Sequence, residues 1–235
     1  MTFAFGGVDL TPYVTVSKAT RTVAPRRRME RTDVPGMAGE LVRFSGLQAA
    51  EVTVTGYLTP HGVDRVAHVR RLLARMLYSD APQALILPDE PWSYLMAVYE
   101  GGAELSRHAH RPKVELPFLC PDPVAYGKPR TASVGSAAVD VDAGGTWPAS
   151  PVVSVTPPTG SYWQITNLAT GDYVRVNAAF TGSQAVVIDM GAQRCTVNGA
   201  DHAVDVGSDF FPIDCAQRLK ASAGTASLSW VERWL

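Results

Sequence analysis

Residues 51–78, EVTVTGYLTPHGVDRVAHVRRLLARMLY, change periodicity partway along, and that change sets the fold class of the first half of the chain. From Glu51 to Leu58, apolar Val52, Val54 and Leu58 alternate with Thr53 and Thr55, the period of a half-buried strand. From Val63 to Tyr78, Val66, Val69, Leu72, Leu73, Met76 and Leu77 recur at i, i+3, i+4 and line one side of a helix, with Asp64, His68, Arg71 and Arg75 opposite. Asp64 in the first turn and Arg75 near the end suit the helix dipole. The spacing therefore predicts a strand running into a single helix.

Downstream, Ala84 to Leu87 lies between prolines and is too short for a helix, so it reads as a strand. Tyr94 to Tyr99 and Ala103 to Leu119 read as two more, joined at Gly101-Gly102 in the manner of a tight hairpin. Upstream, Pro35 presets φ for a turn and Gly36 can follow it at positive φ, which suits a tight loop between strands. The first domain is thus expected over 1–130 as a mainly antiparallel sheet with one main helix.

Prolines 117, 121, 123 and 129 then crowd the chain, and 131–150 is Gly-, Ala- and Ser-rich up to Trp147-Pro148, the composition of a linker. The remainder, 151–235, offers no helix. Its short β segments are Val152–Val155, Tyr162–Asn167, Asp172–Ala178, Gln184–Met190, Arg194–Asn198, Ala203–Val206, Arg218–Ala221 and Thr225–Val231. Turn residues divide them at the frequent intervals of a sandwich. Thr170-Gly171 and Asn198-Gly199 are natural hairpin turns, and Ala226, Leu228 and Trp230 alternate inward along the last strand.

The totals agree with a folded two-domain protein: 235 residues, 46% hydrophobic and 18% charged. Neither a secretory signal nor a run of roughly 20 apolar residues is read, so no membrane insertion is expected. A formal net charge of −1 excludes a globally basic nucleic-acid binder, although 1–130 carries 16 Lys/Arg against 13 Asp/Glu and the rest 5 against 9. Cys120, Cys195 and Cys215 form no Cys-x-x-Cys pair and read as reduced, mostly buried thiols.

Catalytic motifs fail on required residues: the chain has no phosphate loop, no Gly-x-Gly-x-x-Gly, no His-Glu-x-x-His and no Gly-x-Ser-x-Gly. His108 and His110 fall two apart on an expected strand and so share a face, but Arg107 and Arg111 beside them oppose a dication. Asp140 to Gly145 opens like a calcium loop, yet the closing glutamate position is Pro151. Asp201, Asp205 and Asp209, if placed on one strand, would stand roughly 13 Å apart for each four residues, beyond a glycosidase pair. Arg26-Arg27-Arg28 with Arg31 lacks interleaved aromatics and reads as a solvent- or subunit-facing loop. Trp147, Tyr162, Trp163 and Tyr173 suit either a sugar platform or a core. No catalytic, cofactor-binding or metal-binding residue is therefore assigned.

Several motifs in fixed order carry more than any one alone. Gly7 to Leu10, a basic stretch leading to Val34-Pro-Gly-Met-Ala-Gly-Glu40, Val52-Thr-Val54 before the helix, and Leu116-Pro-Phe-Leu-Cys-Pro-Asp-Pro-Val-Ala-Tyr126 resemble the N-terminal domain of the siphovirus distal tail protein family. Trp147-Pro148, Ile165-Thr-Asn167 to Gly171, Val187-Ile-Asp189, Val197-Asn-Gly199 and Ser208-Asp-Phe-Phe211 resemble its C-terminal galectin-like sandwich. Ala38 stands where the family often has a polar residue, and the second domain lacks an inserted arm.

The resemblance implies a tail-tube-like β-sandwich plus helix followed by a galectin-like β-sandwich. It further implies a non-enzymatic structural protein of the virion tail tip, made in the host bacterial cytoplasm and working as a homohexameric ring. The expected partners are the tail tube protein and the tail-associated hub protein, with tape-measure and receptor-binding proteins as further ones. Neither a cofactor nor sequence-specific nucleic-acid binding is expected. The competing classes are a carbohydrate-binding adhesin module and an enzyme acting on cell-wall polymer.

Overall fold

A computed structural model describes residues 2–59, 66–103 and 112–235, and the chain divides into two compact units, Met1–Ala125 with Leu235 and Tyr126–Trp234. The fold is mostly β with one helix among the described residues, in several sheets. No described helix is long and apolar enough to cross a membrane.

In the first unit the strands are β1 (Ala4–Phe5), β2 (Val8–Asp9), β3 (Val14–Thr20), β4 (Arg27–Asp33), β5 (Glu40–Leu47) and β6 (Ala50–Leu58). Helix α1 (Val66–Leu77) and strands β7 (Gln83–Ile86), β8 (Leu95–Tyr99) and β9 (Lys113–Cys120) follow. A seven-stranded sheet has the order β2-β1-β7-β8-β9-β6-β3, and its described pairings are antiparallel. The alternation read at 51–58 holds: Val52, Val54, Gly56 and Leu58 are buried while the residues between them are not. On β9 the same alternation buries Val114, Leu116, Phe118 and Cys120. The helix turns Val69, Leu73 and Leu77, at i, i+4 and i+8, into that core, and His68, Arg71 and Arg75 face solvent as their spacing requires. Asp64 lies outside the described residues.

Gly101-Gly102 does not close a tight hairpin. Both glycines take positive φ, but the register sets Val98 opposite Leu119 and Tyr99 opposite Phe118, so the returning strand is the far one, β9. Long-range pairing of β9 with β6 and β8 decides this register, because it buries the alternate apolar residues of all three strands together.

The second unit begins within β10 (Ala125–Val134) and continues with β11 (Val139–Asp142), β12 (Val152–Val155), β13 (Gly160–Asn167), β14 (Tyr173–Phe180) and β15 (Val186–Asp189). Then come β16 (Arg194–Val197), β17 (Ala200–Asp201), β18 (Ala216–Ala221) and β19 (Ala226–Trp234). Two sheets, β10-β19-β12-β15-β16-β17 and β11-β18-β13-β14, enclose one core. Asn198 and Gly199, at φ 50° and 80°, form the two-residue turn between β16 and β17. Of the strands expected here, Ala203–Val206 is not one: Ser208 N donates to Asp205 O at 2.9 Å, closing a turn.

The stretch 131–150 is part of this unit's framework rather than a linker. β10 runs to Val134, β11 pairs with β18, and Val134, Val141, Ala143 and Ala149 are buried in the core. Gly145 in this stretch serves close packing: a Cβ there would lie 2.0 Å from the carbonyl oxygen of Arg233. Composition cannot separate a glycine chosen for freedom from one chosen for proximity.

Candidate functional site

Most strand pairs of this chain belong to a larger sheet, but β4 and β5 pair only with each other. All of β4 and all of β5 up to Gly46 is exposed. At the base Gln48 N donates to Arg26 O at 2.7 Å, and at the tip Met37 N donates to Val34 O at 3.0 Å across Pro35 and Gly36. Gly36 takes φ +82°, the value a type II turn demands after proline. The loop expected at Pro35-Gly36 is thus the end of a hairpin, and Arg27, Arg28 and Arg31, expected in a loop, lie on its first strand.

Residues directly opposite in an antiparallel pair share a face. One face carries Met29 opposite Phe44 and Arg31 opposite Val42; the other carries Glu30 opposite Arg43 and Thr32 opposite Leu41. The Arg27 guanidinium sits 5.5 Å from the centre of the Phe44 ring, and Arg31 Nε lies 3.7 Å from Glu40 Oε2. Met29, Met37, Leu41 and Phe44 remain 49%, 52%, 56% and 57% exposed, with Val34 and Val42 beside them. A two-stranded hairpin without a third layer is marginal in water, and a monomer seldom leaves so many apolar side chains together on its surface. This arrangement holds no acid–base pair of unusual chemistry; it is suited to binding another protein surface.

The other residues singled out from the sequence are dispersed. Trp163 is fully buried and donates Nε1 to Ala223 O at 2.8 Å, so it is core and not a sugar platform. Trp147 is half-buried and its N donates to Arg233 O. Tyr162 and Tyr173 do share the outer face of β13–β14, where the Arg175 guanidinium lies 4.8 Å and 5.6 Å from their ring centres. Arg175 escaped the sequence reading, although its spacing of two from Tyr173 on an alternating strand places both on one face.

Asp201 on β17 pairs with Arg194 at 2.6 Å, and that hydrogen bond holds its carboxyl below the usual range. Asp205 opens a turn in which its Oδ1 accepts from Asn177 Nδ2 at 2.9 Å, and Asp209 is exposed beyond it. These acids therefore do not share a strand. Asp140 and Asp142 belong to β11, and Asp142 Oδ1 accepts from Gly144 N at 2.9 Å in an ordinary turn. Burial pushes the Cys120 thiol up to about 12 and that of Cys195 to about 11, whereas Cys215 is exposed and donates weakly to Asp214. His108 and His110 lie outside the described residues. Among the described residues no three His, Cys, Asp or Glu side chains gather where a metal could be held.

Residues 8–120 match the phage tail protein RIFT-related domain, and residues 144–234 match the C-terminal domain of the siphovirus-type tail component. The distal tail protein of Bacillus phage SPP1 is 25% identical over 205 residues, covering 85% of this chain and 81% of that protein. The crystal structure of the SPP1 Dit protein, described as a paradigm of the hub adsorption apparatus in Gram-positive-infecting phages, agrees with a TM-score of 0.86 at 22% identity, covering 100% of this chain and 99% of that one. The architecture is thus shared along the whole length, and with both domain matches in the same order, the chain belongs to the siphovirus distal tail protein family.

Proposed function

We propose that this protein is a structural subunit of the tail tip of a long-tailed phage and that it works as a closed ring, a homohexamer, between the tail tube and the tail-associated hub protein. The observation that carries the reading is the β4–β5 hairpin, whose apolar side chains stand exposed among the described residues. A head-to-tail contact repeated around an axis would bury that hairpin on every subunit at once. It would also cover the outer edge of β3, the last strand of the seven-stranded sheet. Each half-exposed Met, Leu or Phe so buried contributes roughly 1 kcal/mol, and several per contact multiply around the ring.

Family membership supports the role, since the SPP1 relative bears the name distal tail protein. On this reading the chain is a non-catalytic conduit: genomic DNA passes through the lumen without base recognition. The first unit forms the ring and the second offers an attachment platform for receptor-binding proteins, with the tape-measure protein as a further partner of the assembly.

Native mass spectrometry and light scattering test the proposal. The wild-type chain should form a single closed oligomer of six, and Met29→Glu with Phe44→Glu should yield a monomer with unchanged circular dichroism. A wild-type chain that stays monomeric at high concentration, alone and with the tube partner added, would sink it.

A further inference from the structure

The outer face of β13–β14 has an organisation that a merely solvated face does not need. Its register sets Tyr162 opposite Asn177, Gln164 opposite Arg175 and Thr166 opposite Tyr173, so these six point away from buried Trp163, Ile165, Val174 and Val176. Arg175 is held on three sides, between the rings of Tyr162 and Tyr173 and by its Nε donating to Gln164 Oε1 at 2.8 Å. Gln164 is itself fixed, its Nε2 donating to Thr166 Oγ1 at 2.8 Å. The turn at Asp205–Ser208 closes beside Tyr173: a Cβ on Gly207 would come 2.6 Å from the tyrosine hydroxyl.

A guanidinium carries five N–H donors, and here one is engaged. No carboxylate among the described residues forms an ion pair with it. Lys220 on β18, opposite Thr166 and exposed, adds a second cation on the same face. Beyond Arg175, the pair Asn177–Asp205 offers an amide and a carboxylate, and Tyr162 as a residue is 48% exposed.

We propose that this face is a binding subsite for a saccharide bearing an anionic group, a phosphate or a carboxylate. The planar fork of Arg175 takes the anion in two parallel hydrogen bonds, the sugar ring lies against Tyr162, and Asn177 and Asp205 receive hydroxyls. Because two rings and an amide already fix the fork, little side-chain entropy is lost when ligand arrives. The six paired side chains of this face all end in polar groups, which matches a ligand rich in hydroxyls; a protein partner, which the two tyrosines and the arginine would also suit, is an outcome of the test below. The inference is independent of the ring and its hairpin.

The experiment titrates the full-length chain with glucose 1-phosphate, glucuronate, glucose and inorganic phosphate, following backbone amide shifts by NMR. Both acidic sugars should shift signals of β13 and β14 with millimolar affinity, about tenfold tighter than glucose. Arg175→Lys, which keeps the charge and loses the fork, should weaken them roughly fivefold or more. Tyr162→Ala, at an exposed position that cannot unfold the sandwich, should do the same. Equal binding of glucose, an equal response to inorganic phosphate, acid-sugar shifts unchanged in Arg175→Lys, or no shift with either acidic sugar would each overturn the proposal. So would a tail protein that binds this face through Arg175 while no sugar does.

Discussion

The hairpins β4–β5 and β13–β14 are built alike and finished differently. Both are antiparallel pairs with alternating side chains. In β13–β14 one set of alternate residues, Trp163, Ile165, Val174 and Val176, enters a core, and the other set forms a polar and aromatic outer face. In β4–β5 both faces meet solvent, and Met29, Val42 and Phe44 have no core to enter. One hairpin is completed by its own chain, whereas on the ring proposal the other is completed by a second chain. The physical content of the contrast is where the hydrophobic energy is released, on folding for the first and on assembly for the second.

Mutations in the two regions should therefore separate stability from assembly. The largest effect on unfolding is expected for Trp163→Ala, which empties the centre of the second core and leaves Ala223 O without its donor. It should cost about 3–5 kcal/mol in urea denaturation of the second unit. Gly145→Ala comes next: with the Arg233 carbonyl 2.0 Å from the new Cβ, the backbone must shift, at about 1–3 kcal/mol by the same measurement. A value near zero would mean that 131–150 behaves as a free linker after all.

A smaller effect, confined to acid, is expected at Glu232. Burial alone would raise its carboxyl, but hydrogen bonds from Arg130 and the Lys128 amide outweigh that and leave it below the usual 4.5. A lowered folded value means that the stabilisation is full above about pH 4.5 and is lost as the pH falls below it. Thermal melts of Glu232→Gln should accordingly show a flatter acid limb than wild type. Identical limbs would remove this pair as a source of acid sensitivity. The smallest effect on the monomer, within about 0.5 kcal/mol, is expected for Phe44→Ala, which touches no core. A loss of 2 kcal/mol or more, roughly the cost of a buried side chain, would show that β4–β5 is already finished within one chain and would dissolve the comparison.

Much of this fold was legible because its signals are local. The strand at 51–58, the helical face of Val69, Leu73 and Leu77, the turn at Asn198-Gly199 and the inward set Ala226, Leu228 and Trp230 each follow from spacing within a few residues. The turn of β4–β5 was legible at Pro35-Gly36, but its two strands were not placed, because they mix Arg and Glu with apolar residues on both faces and lack the clean alternation of a half-buried strand. The same ambiguity made Trp163 a candidate for sugar contact until its burial was known.

By itself the sequence determined several β segments, among them 51–58 and 226–230, and where the helix of the described residues falls, since periodicity and turn chemistry are properties of neighbours along the chain. Tertiary structure alone decided that β9 returns beside β8 from a distance, that Gly145 marks a close contact, that Arg175 sits between two tyrosines, and that β4–β5 stays exposed. Those outcomes depend on which remote strands compete to bury the same apolar faces, and such competition leaves no periodic trace in any single stretch.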